Sequence, residues 1–286
     1  MQRIGLIANP EKNASRSIVQ EAVHLIQDQG GEVLLEPKTA ALVDTSATHQ
    51  DITSLAKDVE MLIVFGGDGT MLGVARQMEG ASTPILGVNV GGLGFLTAIQ
   101  RHQLEDALAA IQDRVFSLES RSLIEASGNA AGAQIYQTAL NDFVFSRGVA
   151  SRLIELEVLV DQEVLTRYRC DGLIVSSPTG STAYSLAAGG AVVSPTTPVF
   201  TITPVCPHTL SARSVIVSLD SIVQVKVLSE KLEVFLTADG QVQVPLQRDD
   251  LITLRQSRQS IRLVRLPGSS FFNTLRQKLN WSGSNL

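Results

Sequence analysis

The chain of 286 residues has only two cysteines, Cys170 and Cys206. They are too few for a disulfide framework and lack the spacing of a zinc site, which favours a reducing compartment and a cytoplasmic location. No apolar run approaches the roughly 20 residues of a membrane span. No long apolar segment near the N-terminus resembles a signal peptide. We therefore expect no signal peptide and no membrane partner.

The chain also lacks a surplus of basic residues, because 23 Lys and Arg stand against 28 Asp and Glu and give a net charge of −5. A general nucleic-acid binder would show a basic face, so we expect no nucleic-acid partner. A nucleotide ligand is not excluded, since its site needs only local donors and a metal ion. The apolar content of 44% fits a globular protein, and the length suits one large domain or two ordinary ones.

The most informative segment is a glycine-rich run that reads Gly66-Gly67-Asp68-Gly69-Thr70. The apolar residues 61–65 before it predict a buried strand, and residues 71–78 after it predict a helix. Glycines let the backbone approach a phosphate, and a helix N-terminus offers N–H groups to an anion. A carboxylate there would repel phosphate unless it binds a hydroxyl or a metal ion that accompanies the phosphate. The segment therefore indicates a phosphoryl-transfer site, with a plain tight turn as the alternative.

The same segment differs from the two common phosphate-binding motifs. It lacks the four-residue spacer and the Lys-Ser/Thr ending of a P-loop. It also lacks the Gly-x-Gly-x-x-Gly spacing of a dinucleotide-binding turn. A lone Gly-Gly-Asp-Gly is a weak signal, so its meaning depends on the rest of the chain.

Strand and helix patterns alternate along the first part of the chain, which predicts a parallel sheet covered on both faces. The predicted strands are 3–8, 32–35, 61–65 and 84–90, and the predicted helices are 18–26, 51–60 and 104–111. Ligands of such sheets bind at the carboxyl ends of the strands. The Asp68 segment lies at such an end, and so does a second glycine run, Gly91-Gly92-Leu93-Gly94-Phe95.

From about residue 120 the pattern changes to alternation with period two, for example at 154–160, 223–227 and 242–246. Many short strands of this kind predict a β-sandwich. The sequence thus predicts an α/β domain over 1–118, which carries the Asp68 segment, and a β-sandwich domain over 119–268.

The C-terminal residues 269–286 have the apolar pattern of a helix, unlike the β-sandwich segment before them. Phe271, Phe272, Leu275 and Leu279 recur at helical spacing. Two adjacent phenylalanines favour burial. We therefore expect a C-terminal helix that packs back on the α/β domain.

A second group of candidate residues lies between 169 and 190, where a strand at 173–175 leads into Pro-Thr-Gly and a predicted short helix at 180–188. Ser181 or Thr182 could cap that helix and leave backbone N–H groups for a ligand. Small residues let a flat ring lie close to the backbone, and Tyr184 offers a ring for stacking. A capped helix without a ligand is the plainer interpretation. Arg169 and Asp171 could likewise form an ordinary salt bridge.

Asn141-Asp142 stands directly before a predicted strand at 143–145. An Asn-Asp pair at a strand end is often only a turn. An Asn side chain also offers a donor and an acceptor to a base edge, and an Asp side chain can accept two hydrogen bonds from a sugar diol. Both interpretations remain open from these residues alone.

Together these segments resemble the ATP-dependent NAD kinase family. The resemblance runs along nearly the whole chain and rests on residues 66–70, 91–95, 141–142, 171–172, 178–184, 207–213 and 271–279. The glycine-aspartate segment is shared with diacylglycerol, sphingosine and 6-phosphofructo kinases. The Pro-Thr-Gly-Ser-Thr-Ala-Tyr run of residues 178–184 is much more specific.

The resemblance implies that the γ-phosphoryl group of ATP is transferred to the 2′-hydroxyl of the adenosine ribose of NAD, giving NADP and ADP. Mg²⁺ or another divalent cation would accompany ATP. The chain would form a homo-oligomer, either a dimer or a tetramer. A non-catalytic NAD(P) sensor and a lipid kinase with the same glycine-aspartate segment are the alternatives.

The resemblance also implies roles for residues at the matching positions. Asp68 would act at the ribose 2′-hydroxyl, as a base or as a ligand of the metal ion, and Gly66, Gly67 and Thr70 would form the phosphate loop. The residues implied at bound substrate or nucleotide are Gly69, Phe95, Asn141, Asp142, Arg152, Arg169, Asp171, Thr182, Ala183, Tyr184, Ser185, Leu186, Ala187 and Gln241. The resemblance leaves the ligands of the metal ion unknown, apart from this alternative role of Asp68. The chain departs from the family where Gly73 replaces a frequent Arg and the next Arg is Arg76.

Overall fold

The computed structural model describes residues 3–12, 14–43, 48–148, 152–230 and 233–281. The chain forms two compact units: Met1–Ser120 together with Ile261–Leu286, and Arg121–Ser260. Of the predicted C-terminal segment, residues 282–286 lie outside the described residues. No helix in the described part of the chain is long and apolar enough to span a membrane.

The first unit alternates strands and helices, as the periodicity predicts. Its strands are β1 (Arg3–Ala8), β2 (Glu32–Leu35), β3 (Thr48–His49), β4 (Met61–Gly66), β5 (Ile85–Asn89) and β6 (Ile99–Gln100). Its helices are α1 (Ser15–Asp28), α2 (Pro37–Ala40), α3 (Ile52–Asp58), α4 (Asp68–Gln77) and α5 (Leu104–Gln112). Every residue of β4 and β5 is buried, because helices cover both faces of a parallel sheet.

The parallel strands of this unit lie in the order β3-β2-β1-β4-β5. The direction of the order reverses between β1 and β4, and in open α/β sheets ligands bind outside the carboxyl ends of the strands at that reversal. Asp68 follows the carboxyl end of β4, and the 91–95 run follows β5, the next strand along. The predicted parallel sheet is therefore present, and both glycine runs are at the same edge.

The second unit is built from antiparallel strands in two sheets. The strands that begin along this part of the chain are β7 (Ser117–Ala130), β8 (Ala133–Ala139), β9 (Asp142–Arg147), β10 (Ile154–Val160), β11 (Glu163–Cys170), β12 (Gly172–Ser176), β13 (Val199–Val205), β14 (Val215–Ser218), β15 (Val223–Val227), β16 (Val234–Ala238), β17 (Val242–Leu246) and β18 (Leu251–Arg265). One sheet has the order β14-β13-β12-β9-β16-β17. The other contains β10, β11, β15 and residues 251–254 of β18. Their inward side chains form one apolar core, which confirms the predicted β-sandwich.

Three details differ from the expectations. Strands β7 and β18 are long, with 14 and 15 residues, and β18 pairs with β15 at residues 251–254 and with β5 at Leu263. The predicted helix at 180–188 is a short 3₁₀ turn, Thr179–Thr182, followed by a single α-turn, α6 (Tyr184–Ala187). Helix α4 begins at Asp68 and not at Met71, since the backbone N–H groups of Thr70 and Met71 already bond to the Gly67 carbonyl.

The C-terminal helix α7 spans Phe271–Lys278 and belongs to the first unit. Leu275 is buried and Phe271 is half-buried. Phe272 remains 60% exposed, so the expectation that both phenylalanines avoid solvent is wrong for Phe272. On a helix, adjacent residues point about 100° apart, and only one of the two can face the unit.

Candidate active site

The carboxylate of Asp68 is fixed by backbone groups of the second glycine run. Its Oδ2 accepts the N–H of Phe95 at 3.0 Å, and its Oδ1 accepts the N–H of Leu96 at 2.9 Å. Gly94 makes this approach possible, because a Cβ at position 94 would collide with the Asp68 carboxylate. Asp68 therefore lies in the first turn of α4 with a set orientation and a half-exposed side chain.

The loop that carries Phe95 is itself fastened at its start. Asn89, the last residue of β5, is 4% exposed, and its side chain accepts the N–H of Gly91 at 2.7 Å. The same side chain donates to the Gly92 carbonyl at 2.5 Å. Sequence reasoning missed Asn89, although an Asn at a strand end before two glycines is a typical turn signal.

The glycines of the Asp68 segment have distinct structural roles. A Cβ at Gly66 would collide with the side chain of Thr70, so Gly66 lets Thr70 fold back over the strand end. Gly67 is the extended residue before the helix, with φ of −112° and ψ of −171°. Gly69 is exposed in the first turn. Gly66, Gly67, Gly69 and Thr70 thus surround Asp68 at the start of α4.

In the second unit a different carboxylate organises the Asn141-Asp142 pair. Asp239 accepts the backbone N–H groups of Leu140 at 2.9 Å, Asn141 at 2.7 Å and Asp142 at 3.1 Å. Asp239 and Gly240 form the hairpin turn between β16 and β17 and have φ of +50° and +65°, which Asp and Gly tolerate. Gln241 follows in the same turn and is exposed.

Asp142 is 4% exposed. Its burial, together with the nearby Asp239 carboxylate, raises the pKa of the Asp142 carboxyl to about 7. Near neutral pH this group therefore exchanges a proton easily, and it can donate to a ligand as an acid or accept from it as a carboxylate.

The 177–190 block lies beside the same pair. The Asn141 carbonyl accepts the N–H of Ser177 at 2.8 Å, and Gly180 leaves no room for a Cβ against that carbonyl. The predicted capping is wrong: the Ser181 hydroxyl donates to the Pro178 carbonyl at 2.7 Å, and the Thr182 hydroxyl donates to the Thr179 carbonyl at 3.2 Å. These bonds close the 3₁₀ turn and do not cap a helix.

The other predicted residues of this block differ in exposure. Tyr184 is 47% exposed, and Ala187 is exposed too. Thr182, Ala183 and Leu186 are half-buried. Ser185 is fully buried, with its hydroxyl 3.1 Å from the Thr203 hydroxyl, so its side chain faces the interior of the unit.

Arg169 and Asp171 do not pair with each other. Arg169 stands directly opposite Glu155 in the β10–β11 register and contacts it at 3.0 Å. Asp171 accepts a hydrogen bond from the Arg147 Nε at 2.6 Å, with about a third of each side chain exposed. Arg147 is a second residue that sequence reasoning missed, because its partnership depends on the β9–β12 pairing. The remaining predicted residue, Arg152, is exposed.

Comparison with known proteins places the chain in a family. The family model of the ATP-NAD kinase N-terminal domain matches residues 4–116, and that of the C-terminal domain matches residues 140–266. The NAD kinase of Syntrophotalea carbinolica is 40% identical over 98% of this chain and 99% of its own length. The chain belongs to the NAD kinase family. The NAD kinase of Symbiobacterium thermophilum is 41% identical over 98% of this chain and 99% of its own length.

Solved structures of an NADH kinase and of an NAD kinase share the fold of this chain. Yeast NADH kinase in complex with NADH matches with a TM-score of 0.89 and 25% identity, over 100% of this chain and 89% of the yeast chain. An NAD kinase from Archaeoglobus fulgidus in complex with ATP matches with a TM-score of 0.78 and 24% identity, over 98% of this chain and 100% of that one.

Gly94→Ala should destabilise the chain, because the new methyl group would displace the Asp68 carboxylate from its backbone donors. Such overpacking costs about 1–3 kcal/mol of unfolding free energy. Gly92→Ala is the matched control, since a Cβ at position 92 meets nothing within 4 Å. Urea unfolding of both variants checks this, and equal unfolding free energies for the two would contradict the packing argument.

Asp142→Asn should change how stability depends on pH. The Asp142 carboxyl has a pKa of about 7 in the folded chain against an ordinary value of 3.8. Between these values the folded state binds more protons than the unfolded state, so the free energy of unfolding falls as pH rises through this window. We expect the variant to melt above the parent at about pH 8 and to lose that advantage at about pH 4. Thermal unfolding at both pH values checks this, and the same difference at both would show that Asp142 does not titrate in this window.

Proposed function

We propose that the chain transfers the γ-phosphoryl group of ATP to the 2′-hydroxyl of the adenosine ribose of NAD, giving NADP and ADP. The observation that carries the proposal is the orientation of Asp68 by the N–H groups of Phe95 and Leu96 at a carboxyl-terminal sheet edge. Family membership supports the same reaction. No observation favours a sensor or a lipid kinase.

In this reaction the ribose 2′-oxygen attacks the γ-phosphorus. The bond from O2′ to phosphorus forms while the bond from phosphorus to the β,γ-bridging oxygen breaks, and ADP leaves with that oxygen. The hydroxyl proton passes to Asp68 and then to solvent. Phosphoryl transfer has a loose transition state, so positioning contributes most. Each Asp68 oxygen accepts one hydrogen bond from a backbone N–H and keeps acceptor capacity, with which Asp68 can orient the hydroxyl.

The charge of the ATP phosphates needs a counterion. The only basic residue of α4 is Arg76, in its last turn, about 12 Å along the axis from Asp68. No group of three or more His, Cys, Asp or Glu side chains suited to a metal ion occurs among the residues that the structure describes. We therefore propose that Mg²⁺, or another divalent cation, arrives as the complex with ATP, and that the N-terminus of α4 with Gly66, Gly67 and Thr70 receives the phosphates.

The second unit would hold the nucleoside parts of the substrates. Asn141 and Asp142 lie on a backbone that Asp239 fixes, which suits the recognition of ribose hydroxyls and a base edge. Tyr184 lies in a run of small residues and is 47% exposed, so its ring is available for stacking. The further proposed contacts are Gly69, Phe95, Arg152, Arg169, Asp171, Thr182, Ala183, Ser185, Leu186, Ala187 and Gln241.

We also propose a homo-oligomer, a dimer or a tetramer, in the cytoplasm. Ile216, on the edge strand β14, is 50% exposed, and Leu210 is 94% exposed, which supports a contact with a second copy. The cysteines Cys170 and Cys206 are free, and Cys206 is exposed, which fits a reducing compartment. Light scattering of the purified chain measures the number of subunits.

Asp68→Asn tests the reaction and the residue together. The variant keeps the side-chain shape but loses the charge and one acceptor oxygen. We expect kcat to fall by about 10² to 10⁴, the usual contribution of a general base, with little change in NAD affinity. NADP formation from NAD, ATP and magnesium is measured with an NADP-specific dehydrogenase.

Asp113→Asn serves as the matched control, because Asp113 is an exposed carboxylate of the same unit after α5. Near-normal turnover of Asp68→Asn would exclude Asp68 as the base. A parent that binds NAD or NADP without turnover would point to a sensor, and a parent that binds neither would point to a lipid kinase.

Tyr184 should set nucleotide affinity and not the chemical step. We expect Tyr184→Ala to raise the KM for NAD by about tenfold with a smaller change in kcat, because stacking acts equally on substrate and transition state. Tyr184→Phe keeps the ring and separates stacking from the hydroxyl. Steady-state kinetics of both variants distinguish the cases, and a loss confined to kcat would contradict this role.

A further inference from the structure

The C-terminal helix α7 contacts the same loop that orients Asp68. The Phe271 ring lies 6.2 Å, centroid to centroid, from the Phe95 ring and is tilted 43° to it. The Lys278 ammonium lies 5.6 Å from the centroid of the Phe95 ring. Both ends of α7 therefore hold one aromatic side chain, through an aromatic pair and a cation–π contact.

Phe95 has two separate partners. Its side chain contacts α7, and its backbone N–H donates to the Asp68 Oδ2 at 3.0 Å. Leu96, the next residue, donates to the other carboxylate oxygen. The position of the Phe95 ring consequently affects the position of both donors.

The loop is not packed tightly on its α7 side. A cavity of about 270 Å³ lies there, lined by Phe95, Thr97, Gln100, Phe271, Asn273 and Gln277 among others. A loop beside such a space has room to shift, because few atoms oppose its movement. Phe95 and Phe271 both line this space, and their rings contact each other.

Helix α7 depends on its own packing for its position. It has eight residues, and helices this short are marginal in isolation. Leu275 is 4% exposed and anchors the middle of the helix, and the Ser270 side chain accepts the Asn273 N–H at its start. Leu275 and the Ser270 cap are therefore anchors of the helix besides Phe271, and Phe271→Ala leaves both of them in place.

We infer that α7 is a positioning element for Asp68: Phe271 and Lys278 hold Phe95, and the backbone of Phe95 and Leu96 in turn holds the carboxylate. Phe271 and Lys278 do not touch the reacting atoms. The part of the inference that concerns catalysis by Asp68 rests on the proposed function. The contacts from α7 through Phe95 to Asp68 do not depend on that function.

Phe271→Ala tests the link through kinetics. We expect kcat for NAD phosphorylation to fall about tenfold or more, because a small misplacement of a catalytic group has effects of that size. The KM values for NAD and ATP should change less than about threefold, since the variant alters orientation in the transition state more than ground-state binding. Phe271→Tyr keeps the ring and should restore kcat to within about twofold of the parent.

The matched control is Phe272→Ala, the same substitution one residue along the helix. Phe272 is 60% exposed, and its ring contacts Phe271 edge-on at 5.5 Å. We expect its kcat to stay within about twofold of the parent. An active parent whose Phe271→Ala variant keeps its kcat, or an equal loss in both alanine variants, would overturn the inference.

Amide hydrogen exchange gives a readout that does not need activity. The Phe95 and Leu96 amides should exchange about tenfold faster in Phe271→Ala than in the parent or in Phe272→Ala, because their hydrogen bonds to Asp68 loosen. Mass spectrometry of a peptide that covers residues 93–97 reports this rate. Unchanged exchange would overturn the link, whereas an inactive parent with faster exchange in the variant would overturn only the proposed function.

Discussion

The orientation of Asp68 in the first unit depends on two hydrogen bonds, which the N–H groups of Phe95 and Leu96 donate to its carboxylate. They join two loops that are 27 residues apart in the chain but follow neighbouring parallel strands, β4 and β5. Gly94 provides the space for the carboxylate, and Asn89 holds the start of the loop. A carboxylate with two such donors is fixed in direction before any substrate binds, and preorganisation of this kind is what phosphoryl transfer requires.

In the second unit, too, a carboxylate accepts hydrogen bonds from backbone N–H groups, but there it shapes a backbone segment. The carboxylate of Asp239 accepts three successive backbone N–H groups, at residues 140–142, and so shapes the segment that presents Asn141 and Asp142. Burial, together with repulsion from the nearby Asp239 carboxylate, raises the pKa of the Asp142 carboxyl to about 7. Asp239 therefore has a structural role, because it holds three backbone N–H groups, whereas Asp142 has a pKa at which its protonation can respond to its surroundings.

Local patterns predicted most of the elements, because each strand and helix buries one side and so imposes its period on the sequence. Leu104, Ala107, Leu108 and Ile111 recur at helical spacing, and all four are buried in α5. The partners of charged side chains could not be predicted from the sequence in the same way. Arg169 stands two residues from Asp171, yet Arg169 meets Glu155 across β10–β11, and Asp171 meets Arg147. Strand register decides such pairs, and register is a property of the sheet.

The sequence by itself determined the two classes of architecture, the positions of the glycine runs and the membership of the segments in one family of kinases. Those properties depend on the residue types and their spacing within short segments of the sequence. Only the tertiary structure decided which N–H groups hold Asp68, that Asp239 shapes the Asn141-Asp142 segment, and that α7 contacts Phe95. Each of these joins residues that are far apart in the chain, and their meeting depends on strand order and packing, which no local pattern specifies.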